Sequence, residues 1–320
     1  MAKPIDFTVA IPTYNGAERL PKLLDKIRQQ NQTEDISWEV IIVDNNSSDK
    51  TAEVIKYYQS NWLESVPLKY FFEPKQGATF ARQRAVKEAE AKLIGFLDDD
   101  NFPTSNWIAT AYSFAQKYPQ AGAYSGQIHG EFEVEPPENF KKIEQYLSIR
   151  EHGLTAHLFE PENLRLPTTA ALVVRKQAWV ESIPISLSLK GRINGSMLGG
   201  EDYEILLYLH KAGWEIWYNP AMETYHQIPK WRLEKDYLLK LARGCGLATC
   251  QLLMINAQNW QKPLILIRTL LGNLKRIINY YIRYRGELKH DLIANFELEF
   301  YWGSFLSVLV YLRNTLWQFQ

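Results

Sequence analysis

The chain has 320 residues, of which 46% are hydrophobic and 22% are charged, and its 36 basic residues balance its 36 acidic ones. This composition excludes an intrinsically disordered protein and supplies enough chain for one large or two modest globular domains. The two cysteines, Cys245 and Cys250, have no His or Cys partners at zinc-ligand spacing, so neither a disulfide framework nor a zinc cluster is expected.

The N-terminal residues do not resemble a secretory signal. Residues 1–16, MAKPIDFTVAIPTYNG, lack the basic start and the apolar core of about seven to fifteen residues that such a signal needs. The low cysteine content is typical of a reducing compartment. We therefore expect a cytoplasmic protein.

The N-terminal half alternates between strand-like and helix-like segments. Residues 7–12 and 38–44 are nearly continuous apolar runs rich in β-branched residues, as buried parallel strands are. Residues 17–30 between them place four apolar residues on one helical face: Leu20, Leu23, Leu24 and Ile27. The alternation continues with a helix over 51–60 capped by Ser48 or Asp49, a strand over 69–74, a helix over 78–92 and a strand over 93–98. The pattern predicts an α/β fold with a Rossmann-like, mostly parallel sheet flanked by helices.

Polar clusters follow all four predicted strands, at residues 12–16, 44–51, 73–85 and 98–100. Because ligands of open parallel sheets bind beyond the carboxyl ends of the strands, we expect these clusters to converge on one crevice. The last cluster is an acidic triplet, Asp98, Asp99 and Asp100. Neighbouring carboxylates resist ionising together, so the triplet indicates either a solvated turn or a site where a cation or hydrogen-bond donors compensate the charge.

The middle of the chain is less regular. Residues 168–179 predict a strand that enters a helix, and the rest of 127–195 mixes short apolar runs with prolines. Further on, two glycines precede Glu201 and Asp202, and apolar spacing predicts a helix directly after them. Both acids are therefore expected at a helix N-terminus, where negative charge is favoured.

The C-terminal third is basic and aromatic. Residues 230–290 contain twelve Lys and Arg residues against three acids. Such a bias suits anionic lipid or a polyphosphate ligand, and no common nucleic-acid-binding module accompanies it. Segments 263–286 and 297–317 are interrupted by charges and are not clean membrane spans. They predict basic amphipathic helices on a membrane surface, a helical cap on the catalytic domain, or a homodimer interface.

Five motifs in order, VAIPTYNG, EVIIVDNNSSDKT, QGATFARQRAV, GFLDDDN and GGEDYEILLYLHKAGWEIWYNP, resemble those of inverting family-two glycosyltransferases with the GT-A fold. The first four cover about 100 residues and the fifth is residues 199–220. The resemblance implies a metal-assisted transfer of a sugar from a nucleotide-sugar donor, a UDP-sugar being expected, to a glycan or lipid-linked acceptor in polysaccharide biosynthesis. It implies neither a nucleic-acid partner nor any cofactor other than Mg²⁺ or Mn²⁺.

The same resemblance assigns roles to individual residues. The donor side would comprise Pro12, Tyr14, Asn15, Asp44, Gly77, Arg82, Asp98 and Asp99. Asp100 and His226 would bind the metal, with Asp98 touching ribose or a metal-bound water and Asp99 shaping the turn. Asp202 would be the catalytic base, and Glu201, Lys230 and Arg232 would serve the acceptor or phosphate side. From the residues alone, each also has a structural reading, such as a helix-surface arginine for Arg82 or a core histidine for His226.

The implied organisation is a catalytic domain over 1–245, with a donor half over 1–126 and an acceptor half over 127–245, and a helical extension over 246–320. Residues 230–233, KWRL, depart from the Gln-x-x-Arg-Trp pattern of processive synthases, which favours one sugar per encounter. Two other classes are also considered. A sugar-nucleotide nucleotidyltransferase would carry a Gly-rich basic loop that 12–22 lacks, and an inactive nucleotide-binding scaffold would not need the three carboxylates Asp98, Asp100 and Asp202. The protein is expected in the cytoplasm or peripherally at the inner face of the plasma membrane, where a lipid-linked glycan acceptor would be found.

Overall fold

The computed structural model describes residues 4–189, 191, 196–286, 288 and 291–317. The chain divides into two compact units, each assembled from separate stretches of sequence. The first unit comprises 1–131, 148–185 and 208–227, and the second comprises 132–147, 186–207 and 228–320.

The first unit is built on four parallel strands, as the sequence predicts. These are β1 (Phe7–Thr13), β2 (Trp38–Asp44), β3 (Leu68–Phe72) and β4 (Leu93–Phe96), in the spatial order β3-β2-β1-β4. The helices between them are α1 (Leu20–Arg28), α2 (Thr51–Ser60) and α3 (Ala78–Glu88). The carboxyl ends of the four strands lie at one edge of the sheet, because parallel strands with helical crossovers all run the same way.

The strands that follow β4 extend the sheet with antiparallel pairs. They are β5 (Asn101–Pro103), β6 (Ala121–Phe132), β7 (His157–Leu158), β8 (Leu172–Arg175) and β9 (Glu215–Ile228). The complete order is β3-β2-β1-β4-β8-β6-β9-β5, with β7 also paired to β9. Helix α4 (Trp107–Lys117) follows β5, and α5 (Lys176–Ser182) follows β8. The predicted strand entering a helix over 168–179 is therefore confirmed.

The core of the first unit lies between the parallel strands and their helices. Every residue of β2 is buried, which explains its mostly apolar sequence. On α1, the predicted face is the buried one: Leu20, Leu23, Leu24 and Ile27. The predicted capping of α2 by Ser48 or Asp49 is wrong, because Lys50 occupies the N-cap position and no side chain caps the helix there. Asp49, one residue earlier, accepts a hydrogen bond from the Thr51 backbone N–H at 3.0 Å.

Helices dominate the second unit. Helix α6 (Glu201–Lys211) begins in this unit, and α7 (Lys235–Ile255), α8 (Lys262–Arg283) and α9 (Leu292–Trp317) follow. Gly246 of α7 faces Gly303 of α9 so closely that a Cβ built on Gly246 would lie 2.4 Å from the Phe300 carbonyl oxygen. The two helices therefore pack backbone against backbone.

Helix α7 bears on two expectations from the sequence. The expected boundary between 245 and 246 falls inside this unbroken helix, whose apolar residues pack within the unit, so the chain does not change structure there. Among the described helices, α7 also has the length and apolar composition to cross a membrane. However, 56% of its most apolar 18-residue stretch is buried inside the protein, as in an ordinary core helix.

Candidate functional site

The acidic triplet follows β4 after Leu97, and each of its three carboxylates meets a basic side chain from a different part of the first unit. Asp98 pairs with Arg82, Asp99 with Arg19, and Asp100 with His226. The partners come from α3, from the residue before α1, and from β9. Arginines therefore compensate the charges of Asp98 and Asp99, and a histidine lies beside Asp100.

Asp99 is held at both carboxylate oxygens. Arg19 donates from Nε to Oδ1 at 2.7 Å and from Nη2 to Oδ2 at 3.0 Å, and the Thr13 hydroxyl donates to Oδ2 at 2.6 Å. Burial raises the pKa of the Asp99 carboxyl, although the Arg19 and Thr13 hydrogen bonds act in the opposite direction. The hydrogen bond to Asp99 in turn raises the pKa of Arg19. These contacts tie the exit of β4 to the exit of β1.

Arg82 and Asp98 form the second pair. Arg82 is only 4% exposed, so it is not the helix-surface arginine that was one reading of the sequence. Its Nη2 lies 3.2 Å from Oδ1 of Asp98, whose side chain remains 34% exposed. Asp98 is thus the most accessible acid of the triplet and points one oxygen at a buried cation.

Asp100 and His226 form the third pair and are the candidate metal ligands. The His226 Nε2 lies 3.5 Å from Asp100 Oδ2, and the Asn101 side-chain amide donates to Oδ1 at 2.9 Å. The pairing of β5 with β9 produces this contact, because it aligns Asn101 with His226. Both side chains are largely buried.

This pair fits a cation whose other ligands come from a substrate. Adjacent ligands of an octahedral Mg²⁺ or Mn²⁺ ion lie roughly 3 Å apart, close to the separation of Asp100 and His226. Within the described part of the chain, no three His, Cys, Asp or Glu side chains form a metal-binding group. A site with one or two protein ligands, completed by phosphate oxygens and water, matches that donor set.

The loops after β1 and β2 are hydrogen-bonded to each other. The backbone N–H of Asn15 donates to Ser47 Oγ at 2.9 Å, and Asn15 Oδ1 accepts from the Ser48 N–H at 2.8 Å. Gly16 donates to Thr51 Oγ1 in the same way. Asn15 has a φ of 49°, in the left-handed region that asparagine tolerates better than most residues. Next to it Pro12 is partly buried at the end of β1, and Tyr14 is exposed beside these loops.

The loops after β2 and β3 meet through a residue that the sequence reasoning did not select. Asn45 is buried, donates to the carbonyl oxygens of Glu73 and Lys75, and accepts from the Gly77 N–H at 2.7 Å. Gly77 caps α3 with a φ of 137°, a conformation that favours glycine. In the sequence, only the position of Asn45 directly after a strand-end acid could have indicated a role. Its hydrogen-bond partners are about 30 residues away in the chain and could not be identified from the sequence.

Asp44 at the end of β2 is buried and engaged at both oxygens. It accepts from the Ser47 N–H at 2.9 Å and from the Tyr70 hydroxyl at 3.1 Å. A carboxylate oxygen has more than one lone pair, so a further donor is chemically compatible with these bonds. Together with the residues already described, the first unit brings all expected donor-side and metal-side residues to the carboxyl ends of β1 to β4 and to β9: Pro12, Tyr14, Asn15, Asp44, Gly77, Arg82, Asp98, Asp99, Asp100 and His226.

The second unit contains the expected acceptor-side residues. Glu201 and Asp202 occupy the first turn of α6, as predicted, and Gly200 precedes them with a φ of 101°. A third acid of that turn, Glu204, was not selected from the sequence. It is fully buried and accepts from the N–H groups of Ser188 and Leu189 at 2.9 and 2.7 Å, so it fixes the approach to the helix.

Lys230 and Arg232 lie in a short 3-10 helix, Lys230–Leu233, directly after β9. The Lys230 backbone N–H donates to Glu133 Oε2 at 2.8 Å, and the Arg232 guanidinium lies 5.3 Å from the centre of the Trp231 ring. Trp231 is 51% exposed. This segment presents an aromatic ring and two cations together, a combination that suits a sugar or phosphate group.

Known proteins with similar sequences are glycosyltransferases. Glycosyltransferase AglE of Haloferax volcanii is 30% identical over 106 residues, which are 33% of this chain and 34% of that protein. The amylovoran biosynthesis glycosyltransferase AmsB of Erwinia amylovora is 23% identical over 232 residues, or 71% of this chain and 72% of AmsB. Matches at about 30% identity thus span only about a third of the relatives' length.

Solved structures share the fold. TarS 1-349 of Staphylococcus aureus, in complex with UDP-GlcNAc, superposes with a TM-score of 0.54 at 14% identity, covering 97% of this chain and 92% of that one. The mannosyltransferase PcManGT of Pyrobaculum calidifontis, in complex with GDP-Man and Mn²⁺, gives a TM-score of 0.59 at 17% identity, covering 95% and 86%. The protein has the GT-A fold. The family description Glycosyl transferase family 2 matches residues 8–177, more than half of the chain, and the chain therefore belongs to that family.

Proposed function

We propose that the protein transfers a sugar from a UDP-sugar to a hydroxyl of a glycan or lipid-linked acceptor, with inversion and with the help of Mg²⁺ or Mn²⁺. Residues 1–126 form the donor half and 127–245 the acceptor half in this proposal. AmsB, named for amylovoran biosynthesis, supports a role in polysaccharide biosynthesis. The TarS complex with UDP-GlcNAc supports a UDP-sugar donor, whereas PcManGT binds GDP-Man. The donor panel described below therefore tests which nucleobase the donor carries.

The observation that carries the proposal is the arrangement of Asp98 and Asp100. Asp98 is the accessible acid of the triplet, and Asp100 lies 3.5 Å from His226 at the same strand exit. Asp100 and His226 hold the cation in this proposal, and Asp98 binds the ribose or a metal-bound water. A divalent cation bound there supplies positive charge opposite the departing nucleoside diphosphate.

The donor-side residues bind and orient the nucleotide. Tyr14 is exposed and offers a ring for stacking on a base, and Asp44 is placed to accept a hydrogen bond from that base. Gly77 lets the backbone approach the nucleotide, and Arg82 supplies buried positive charge toward the diphosphate. The hydrogen bonds between these loops fix them before the donor binds, which lowers the entropy lost on binding.

Asp202 accepts the proton of the acceptor hydroxyl. It lies in the first turn of α6, at the positive end of the helix dipole. Glu201, Lys230 and Arg232 contact the acceptor or its phosphate. Glu204, which is buried and accepts two backbone hydrogen bonds, is excluded from the base role in this proposal.

The test is a donor panel of UDP-, GDP- and dTDP-sugars, with hydrolysis and transfer measured with and without Mn²⁺. We expect Asp202→Asn to bind the donor almost as the parent does but to lose transfer by about 10²-fold or more, since a general base contributes about that factor. Asp100→Ala should weaken metal-dependent donor binding as well. Glu64→Gln, which changes an exposed side chain in the loop that leads into β3, is the matched control.

Two results would contradict the proposal. Near-normal turnover by Asp202→Asn would contradict the assignment of Asp202 as the catalytic base. Failure of every nucleoside diphosphate to bind in the presence of Mn²⁺ would contradict the proposed glycosyltransferase activity. Nucleotidyl transfer in place of sugar transfer would be visible in the same panel as release of pyrophosphate.

A further inference from the structure

We propose that the exposed face of α8 binds the surface of an anionic lipid membrane. Six apolar side chains recur every three or four residues along this helix, and all are exposed: Leu264, Ile267, Leu271, Leu274, Ile278 and Ile282. At 3.6 residues per turn they share a stripe about 80° wide. The last of them, Ile282, is 73% exposed.

The opposite face of α8 is already used for packing within the second unit. Thr269, Asn273 and Ile277 are buried there, and Ile265 and Leu266 pack against a small core that includes Cys250 and Val308. The contacts fix the rotation of the helix about its axis. The apolar stripe is therefore left outside the core by the fold itself.

Charge distinguishes a lipid surface from other partners. Helix α8 contains five Lys and Arg residues and no Asp or Glu. Arg268 and Lys275 lie directly beside the apolar stripe, within about 40° of its edge. Long basic side chains can extend to lipid phosphates while their neighbours enter the acyl region. Trp260, just before the helix, is 65% exposed, and tryptophan favours this interfacial level.

A second copy of the chain is a poorer partner for this face. Two α8 helices in contact would bring ten basic side chains together with no acid on either helix to compensate them. Anionic headgroups supply the missing charge, and their attraction for each Lys or Arg near the surface is appreciable. The apolar sequence of α8 is also interrupted by Arg268, Lys275 and Arg276, which suits a helix lying in the interface and not one crossing the bilayer.

The experiment is flotation of the full chain with vesicles of phosphatidylcholine alone or mixed with phosphatidylglycerol, at low and high salt. We expect binding only to the mixed vesicles, with weakening at high salt because salt screens the attraction. Arg268→Gln combined with Lys275→Gln should weaken binding by on the order of tenfold. Ile267→Gln combined with Leu271→Gln should reduce it at both salt concentrations.

Matched controls lie in the first unit. Lys26→Gln with Lys56→Gln removes two exposed helix lysines, and Leu154→Gln alters an apolar side chain that is 88% exposed. Both should leave vesicle binding unchanged. Donor hydrolysis and nucleotide binding by every variant should equal those of the parent, so a failure here is separate from a failure of the proposed function.

Three results would overturn the membrane proposal. One is equal binding to neutral and anionic vesicles, and another is no binding to either. The third is a dimer in analytical ultracentrifugation that Ile267→Gln with Leu271→Gln converts to monomer, which would assign the stripe to a second copy.

Discussion

The three acids after β4 look equivalent in sequence but have separate environments. Asp98 remains partly accessible beside Arg82, Asp99 is locked by Arg19, and Asp100 lies against a histidine. The run of like charges is stabilised by two arginines from other elements, Arg82 beside Asp98 and Arg19 beside Asp99. The residues with proposed chemical roles are the two at the ends of the triplet.

Arg19→Met tests the structural role of the central acid. The change leaves the buried Asp99 carboxylate with the Thr13 hydroxyl, and we expect a loss of about 2 kcal/mol in unfolding free energy. Urea denaturation measures it. Arg165→Met is the control, because its pair with Glu160 is 73% and 51% exposed and should contribute less than about 0.5 kcal/mol. Equal losses of unfolding free energy in the two variants would contradict a special structural role for the pair of Arg19 and Asp99.

Cys250 should be protected from modification in the folded protein. It is fully buried on α7, and burial raises the pKa of its thiol to about 11. At pH 8 very little thiolate is present, so alkylation should be slow. A Cys245→Ala variant leaves Cys250 as the single thiol, and mass spectrometry follows its modification before and after adding urea. Rapid labelling without urea would disprove the predicted burial.

Sequence alone could identify the site residues that end a strand or begin a helix. Asp44, Asp98, Asp100 and Asp202 stand at such positions and are chemically conspicuous. Arg19, Asn45 and Glu204 could not be selected, because their importance comes from partners brought near by folding. Arg19 and Asp99, for instance, are 80 residues apart in the chain. The roles themselves stay predictions until the variants are measured.

At the level of elements, the alternating strands and helices up to β4 could be predicted because buried parallel strands and amphipathic helices have distinct periods. The antiparallel strands that follow are short or depend on pairing over long sequence distances, as β5 with β9 does. The division into two units escaped prediction for a related reason. Each unit gathers stretches that are not adjacent in sequence, and apolar periodicity is a local signal.

Gly246→Ala should loosen the contact between α7 and α9. The added methyl would lie 2.4 Å from the Phe300 carbonyl oxygen and 2.8 Å from the Ser304 nitrogen, which requires backbone movement. Overpacking of this kind typically costs about 1–3 kcal/mol. Gly272→Ala in α8 meets nothing within 4 Å and should instead stabilise the helix by roughly 0.5–1 kcal/mol. Calorimetry measures the change in unfolding free energy of each variant. Changes of opposite sign would support the close packing of α7 on α9, and changes of the same sign would contradict it.

For the whole molecule, the donor should stabilise the first unit, since all the proposed donor-side residues belong to it. At a free nucleotide concentration 100-fold above Kd, mass action adds about 2.7 kcal/mol to the unfolding free energy of the state that binds. Differential scanning fluorimetry with UDP, GDP and dTDP in the presence of Mn²⁺ measures this.

Hydrogen exchange would locate the same effect. We expect slower exchange in 13–19, 44–51 and 73–82, where the loops already bond to one another. Asp100→Ala should reduce both the thermal shift and the protection. Stabilisation by nucleotide with protection elsewhere in the chain would place the donor site outside these loops.

The separate partners of the three acids also bear on how relatives should be compared with this chain. An alignment shifted by one residue across Asp98, Asp99 and Asp100 still matches two acids to acids. It would nevertheless equate the position facing His226 with the one clamped by Arg19. Correspondence at this motif is therefore read from the basic partner of each carboxylate, and a relative that lacks the arginine before α1 should also have replaced the middle acid.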